Sequence, residues 1–185
     1  MFNEALKSIL EFCPFSPGEL SIIQGKFKQK LLKKNEFLLR EGDVCRSFYF
    51  INKGACTHFL TTEEGIDIML NLYVEYDWLT DYQSFTSQKP SLNNIKAFED
   101  CELSELDVYS FHALIQYSPS FFAIGRLLQV MQYGEFSNNM QSPEENYKAV
   151  LNKRPMLIRK FPLKYVASFL RITPETLSRV RRRIG

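Results

Sequence analysis

The segment RITPETLSRVRRRIG, residues 171–185, sets one carboxylate among five arginines. Within it Glu175, Ser178 and Arg179 fall at positions i, i+3 and i+4, so a helix would carry them on one face. That face has a definite chemistry. An arginine pairs in bidentate fashion with O6 and N7 of guanine, and a glutamate accepts from N4 of cytosine. A lone acid among cations weakens attraction to phosphate, which points to selectivity as its role. Glu175 would also complement a helix dipole at its N-terminus, and the two roles are compatible. Thr173 is suited to cap the helix, and Pro174 to occupy its first position. Leu177 and Val180 would face a preceding helix. Thr173, Glu175, Thr176, Ser178, Arg179, Arg182 and Arg183 are therefore the candidate nucleic-acid contacts. Arg181, Arg182 and Arg183 suit phosphates or solvent better than base edges.

The charge distribution agrees. Residues 1–147 hold 12 Lys+Arg and 20 Asp+Glu, a net of −8, whereas residues 148–185 hold 11 and one, a net of +10. An acidic body with a basic end suits a polyanionic partner. The helix preceding this segment is FPLKYVASFL, with Tyr165, Val166, Phe169 and Leu170 as its packed face and Ala167 where another helix could approach closely. Together the two read as a helix-turn-helix.

Upstream, Ser16, Pro17 and Glu19 form a capping box that predicts a helix to about Lys28. Short apolar runs split by EGD, KG, TTEEG and EYD then recur every 8 to 12 residues. That spacing predicts roughly eight strands between residues 31 and 109 in a barrel or sandwich. A helix of about 20 residues is expected after Pro119, its apolar stripe formed by Ile124, Leu127, Leu128, Met131 and Phe136. The stripe packs either on its own barrel or against a second copy, with Gly125 and Gly134 needing support from whatever it meets. Ser142 to Glu145 start another helix that Pro155 stops, and MLIRKF reads as a short strand. The organisation is α+β: residues 1–118 a sensor domain, 119–140 a dimerisation helix and 141–185 the nucleic-acid-binding unit.

Other chemistry is poorly supported. The cysteines Cys13, Cys45, Cys56 and Cys101 are scattered without CxxC spacing, and His58 and His112 stand alone, so no metal or cofactor is expected. Neither a phosphate loop nor a GxSxG or HExxH sequence is present, which argues against an enzyme. A protein-binding regulatory subunit is the alternative, and the basic end disfavours it. No apolar run approaches 18 residues, so a soluble cytoplasmic protein without membrane contact is expected.

FPLKYVASFLRITPETLSRVRRRI closely resembles the helix-turn-helix of the Crp/Fnr family of bacterial transcription regulators. The order of the preceding pieces is similar to that family over essentially the whole chain. WLTDYQSF and KPSLNNIKAFEDCEL resemble its Bacteroidetes-type members. The resemblance implies a double-stranded β-roll of the cyclic-nucleotide-binding type, a homodimer through residues 119–140, and double-stranded DNA as partner. It implies that Glu175 and Arg179 contact a G·C pair and Ser178 a thymine, as in the Fnr-like ExxSR reader. Crp has an arginine where Pro174 stands, so a palindrome nearer TTGAT…ATCAA is expected. The family's cyclic-nucleotide pocket pairs a Glu with ribose and an Arg with phosphate. Here Thr80 and Asp81 stand at the first stretch, and Pro90-Ser91-Leu92-Asn93 at the second lacks the Arg. Trp78, Thr80, Asp81, Lys89 and Ser91 are the candidate effector pocket, for an unidentified small molecule other than cAMP, if any. The family's β-hairpin wing is expected to be reduced to MLIRKF or trimmed away after Gly185, giving a winged-helix-like unit.

Overall fold

The computed structural model describes residues 3–12, 14–132 and 142–184. Two helices lead, α1 (Asn3–Phe12) and α2 (Pro17–Lys26). The capping box closes as expected: Ser16 Oγ accepts from the Glu19 amide at 3.3 Å, and the Glu19 carboxylate accepts from the Ser16 amide at 2.9 Å. The same carboxylate also accepts from Ser118 and Ser120 hydroxyls, which pins α2 to a distant segment. Donation from Ser120 and Ser16 pulls the Glu19 carboxyl down to about 2.

Strands β1 (Lys28–Leu32), β2 (Phe37–Leu39), β3 (Ser47–Lys53), β4 (Cys56–Thr61), β5 (Asp67–Tyr73) and β6 (Trp78–Leu79) follow. A short helix, α3 (Tyr82–Ser87), then precedes β7 (Asn94–Ala97) and β8 (Cys101–Asp107). The strands form two antiparallel sheets, ordered β1-β8-β3-β6 and β2-β7-β4-β5. The turn signals in the sequence thus found their strands. Alternation is blurred, however: Ser47–Ile51 of β3 and Cys56–Phe59 of β4 are all buried. Helices explain this, because α1 packs on β3 and a later helix, Leu163–Phe169, packs on β5 beside β4. The roll's interior is aromatic, with Trp78 meeting Phe50 at 5.0 Å and Phe48 at 5.6 Å between ring centroids.

Helix α4 (Val108–Tyr117) was not anticipated from the sequence, although Asp107 caps it by accepting from the Ser110 amide at 2.8 Å. After a 3-10 turn at Pro119–Phe121 comes α5 (Phe122–Gln132), which packs on α1 and buries Ile124 and Leu127. Residues 133–140 of the expected dimerisation helix, Gly134 and Phe136 included, lie outside the described residues, as do the side chains of Leu128 and Met131.

The basic end is wholly helical among its described residues: α6 (Pro143–Lys153), α7 (Pro155–Lys160), α8 (Leu163–Phe169) and α9 (Pro174–Ile184). A second capping box closes between Ser142 and Glu145. The strand expected at MLIRKF is instead α7. Pro155 sits at its first position, where a missing amide costs nothing, and the Phe161 amide closes the last turn on Leu157 O at 3.0 Å. MLIRKF therefore does not supply a wing.

Candidate functional site

The turn between α8 and α9 sets the direction of the last helix. Ile172 N bonds Ala167 O and Arg171 N bonds Ser168 O, both at 3.0 Å, with Arg171 at φ +59°. This pair of bonds and the left-handed residue make a Schellman cap, usually built on glycine. One residue further, Thr173 Oγ1 accepts from the Thr176 amide at 3.2 Å and caps α9, which begins at Pro174.

Helix α9 is sharply two-sided. Leu177 and Val180 are buried against Val166, Ala167 and Leu170 of the preceding helix and turn. At 100° per residue, Glu175, Ser178, Arg179 and Arg182 form the opposite stripe, flanked by Thr176 and Arg183. Glu175, Arg179, Arg182 and Arg183 are exposed, and Thr176 and Ser178 half-buried. Glu175 is held ionised below its usual range by its own backbone amide, the Thr173 hydroxyl and the nearby Arg179. Arg179 Nε reaches Glu175 O at 3.5 Å, so the guanidinium lies along the helix beside the carboxylate. The stripe is an open row of one acceptor, one hydroxyl and two guanidinium groups on a rigid element.

The helices that present this stripe are fixed to the roll. Ser168 Oγ accepts from the Met69 amide at 3.0 Å, and Phe161 and Tyr165 pack on Phe98 at 4.8 and 5.7 Å. Arg154 Nη2 donates to Asp77 Oδ2 at 2.5 Å and Leu72 O at 3.0 Å. Lys160 Nζ bridges Glu75 and Glu99, the latter at 2.5 Å. Two of the eleven cations in residues 148–185 therefore serve docking, which the charge count alone could not reveal.

The proposed effector residues divide into two groups. Asp81 and Ser91 come together: Ser91 Oγ donates to Asp81 Oδ2 at 2.6 Å, joined by Asn93 Nδ2 at 2.9 Å. Asp81 Oδ1 accepts from the Ser84 amide at 3.0 Å and caps α3, and His58 Nε2 lies 3.8 Å from Asp81 Oδ2, within electrostatic reach though without a hydrogen bond. Burial pushes the Asp81 carboxyl up, but His58, Ser91, the Ser84 amide and Asn93 outweigh it and hold it well below the usual range. The other three side chains are not part of that network. Thr80 Oγ1 donates to Ser47 O at 3.1 Å, Lys89 is exposed, and Trp78 is a core residue whose Nε1 donates to Ser8 Oγ at 2.9 Å. The Trp78 indole is taken up by the aromatic interior of the roll. Ser84, Asn93 and His58 were missed; Asp81 followed three residues later by a serine was the one local signal for a cap.

Among the described residues no group of three or more His, Cys, Asp or Glu is placed to hold a metal, and no helix is long and apolar enough to cross a membrane. Residues 29–118 match the cyclic nucleotide-binding domain family. Solved structures of the same architecture include FixK2 from Bradyrhizobium japonicum, at 15% identity and TM-score 0.66 over 85% of this chain and 84% of that one. Another is the Thermus thermophilus catabolite activator protein, at 21% identity and TM-score 0.57 over 94% and 85%. The chain carries a cyclic nucleotide-binding domain and shares its fold with these two proteins. A curated relative is the cAMP-activated global transcriptional regulator CRP of Salmonella typhimurium, 26% identical over 82 residues, or 44% of this chain. The match spans only 39% of that relative's length. Within this domain the acid at position 81 is an aspartate, and the stretch Pro90-Ser91-Leu92-Asn93 holds no arginine.

Proposed function

We propose that this chain is a sequence-specific, homodimeric DNA-binding transcription regulator of the Crp/Fnr type that reads a palindrome through α9. The observation that carries the reading is the stripe of Glu175, Ser178, Arg179 and Arg182, exposed or half-exposed on a helix whose other side is anchored in the core. The cations of the basic end supply salt-dependent affinity for phosphate. Glu175, Ser178 and Arg179 supply selectivity, each good base contact being worth roughly 1–3 kcal/mol. The dimer forms through residues 119–140 and sets the two reading helices about one turn of DNA apart.

The effector is something other than cAMP, or there is none. Asp81 supports this: its oxygens are engaged by Ser84, Ser91 and Asn93 of its own chain, leaving the carboxylate committed before any ligand arrives. A bidentate cation opposite a cyclic phosphate is worth several kcal/mol, and Ser91 and Asn93 do not replace one.

Fluorescence anisotropy with a labelled TTGAT…ATCAA duplex and a scrambled duplex tests the assignment. Arg179→Ala loses roughly 10-fold or more on the palindrome and little on the scrambled duplex, whereas Arg183→Ala weakens both alike. Equal losses for Arg179→Ala on the two duplexes would remove it from the reading face.

A further inference from the structure

The two sheets of the roll meet at a pair of thiols. Cys56 opens β4 in one sheet and Cys101 opens β8 in the other, and their Sγ atoms are 3.7 Å apart. Neither cysteine ladders with the other: Cys56 lies opposite Tyr73 and Ala97, and Cys101 opposite Leu32. A disulfide is about 2.0 Å long, so side-chain rotation has roughly 1.7 Å to close. Cys101 also lines a groove of about 260 Å³ whose other walls include Lys33, Lys53 and Asp100. The groove is the solvent side of the buried Cys101; Lys33 there is paired with Asp100, and the cation whose charge favours a Cys101 thiolate is Lys160. Donation from Cys56 draws the Cys101 thiol below its ordinary value, while Cys56, as the donor and buried, is pushed up. The pair is also placed where a change would be felt. Gly54 lies against Cys101, its carbonyl accepts from Lys160 of α7 at 3.4 Å, and its amide donates to Glu75.

We infer that Cys56 and Cys101 are a redox-modification site, a dithiol that a hydroperoxide converts to a disulfide stapling the two sheets beneath the docked helices. Cys101 thiolate attacks the peroxide oxygen, breaking the O–O bond; the leaving alkoxide takes the proton released by the thiol, giving an alcohol, or water from hydrogen peroxide. Cys56 Sγ then attacks the resulting sulfenic sulfur, and the departing hydroxide takes the Cys56 proton as water. The two sulfurs supply the two electrons that reduce the peroxide. Among the described residues Cys45, whose thiol lies near Thr80 and Ser47 O, has no such partner.

The test is made on the full chain without DNA, so its outcome is independent of the DNA-binding reading. The protein is treated with hydrogen peroxide, its free thiols are titrated after unfolding, and its peptides are mapped without reductant. Two of the four thiols disappear and return with dithiothreitol, and one cross-linked species joins the Cys56 and Cys101 peptides. The unfolding midpoint rises by about 5–10 °C on oxidation. In Cys56→Ala the sulfenic acid persists on Cys101 and is trapped by dimedone. Retention of all thiols, a cross-link to Cys13 or Cys45, or over-oxidation of Cys101 without a cross-link in the unmodified sequence overturns the inference. The wild-type peptide map decides it even if the variant fails to fold.

Discussion

Replacing Arg154 by Met isolates the main polar anchor between the helical end and the roll. Arg154 donates to Asp77 Oδ2 and Leu72 O, and its side chain and that of Asp77 are only 22% and 26% exposed. Methionine keeps most of the stem's packing and removes both of these hydrogen bonds. The lost contacts are charge-assisted and half-buried, so the expected cost lies between that of a surface pair and that of a fully buried one, about 2 kcal/mol. For a chain of this size that lowers the unfolding midpoint by roughly 4–8 °C. The cost has a pH signature. Burial already raises the Asp77 carboxyl, with Arg154 and the Val74 amide pulling it back. Without Arg154 it rises further, so the charged carboxylate costs the folded variant more than the wild type. A group raised on folding destabilises above its folded pKa, and the penalty is relieved as pH falls toward the unfolded value near 3.9. The deficit of Arg154→Met relative to wild type should therefore be larger at pH 8 than at pH 5. Adding Asp77→Asn, which still accepts from the Val74 amide, should recover part of the loss. Thermal unfolding across pH measures all of this. A deficit that is independent of pH, or strict additivity of the two substitutions, would refute the coupling.

Three further expectations follow from local geometry. Gly54→Ala should cost roughly 3 kcal/mol by thermal unfolding, because at φ +103° its Cβ would lie 2.6 Å from Asp100 O and 2.7 Å from Cys101 Sγ. Thr173→Ala removes the cap of α9 and should cost about 1 kcal/mol, with Thr173→Ser largely restoring it; no difference between the two would deny the cap. Asp81 is depressed in the folded state, so its stabilising share is complete above about pH 4 and is lost as pH falls further. Asp81→Asn should flatten the acid side of the stability curve between pH 4 and 2, and parallel curves would contradict that balance.

What the sequence disclosed was mostly local. Ser16 with Glu19, Ser142 with Glu145, and Thr173 with Pro174 are signals spanning four residues or fewer, and each starts a helix in the structure. The strand count was readable because Gly42, Gly54 and Gly65 punctuate it at positive φ. MLIRKF misled because six apolar and basic residues hold less than two helical turns, too few for a period to show, and Pro155 serves equally as a stop and a start. Helix α4 hid among aromatic residues that suit strands equally well. The Asp81–His58 and Cys56–Cys101 neighbours bridge different strands and become visible only with the topology. The sign of the basic end was legible, but the use of Arg154 and Lys160 as anchors needed their partners Asp77, Glu75 and Glu99.

The central claim is that α9 reads bases, and selection from random duplex DNA by the purified protein without added ligand tests it most directly. The account predicts enrichment of a TTGAT-like palindrome that loses definition at one base pair of each half-site when Glu175→Ala is used. An identical enriched sequence from Glu175→Ala, or binding with no sequence preference in the wild type, would contradict it.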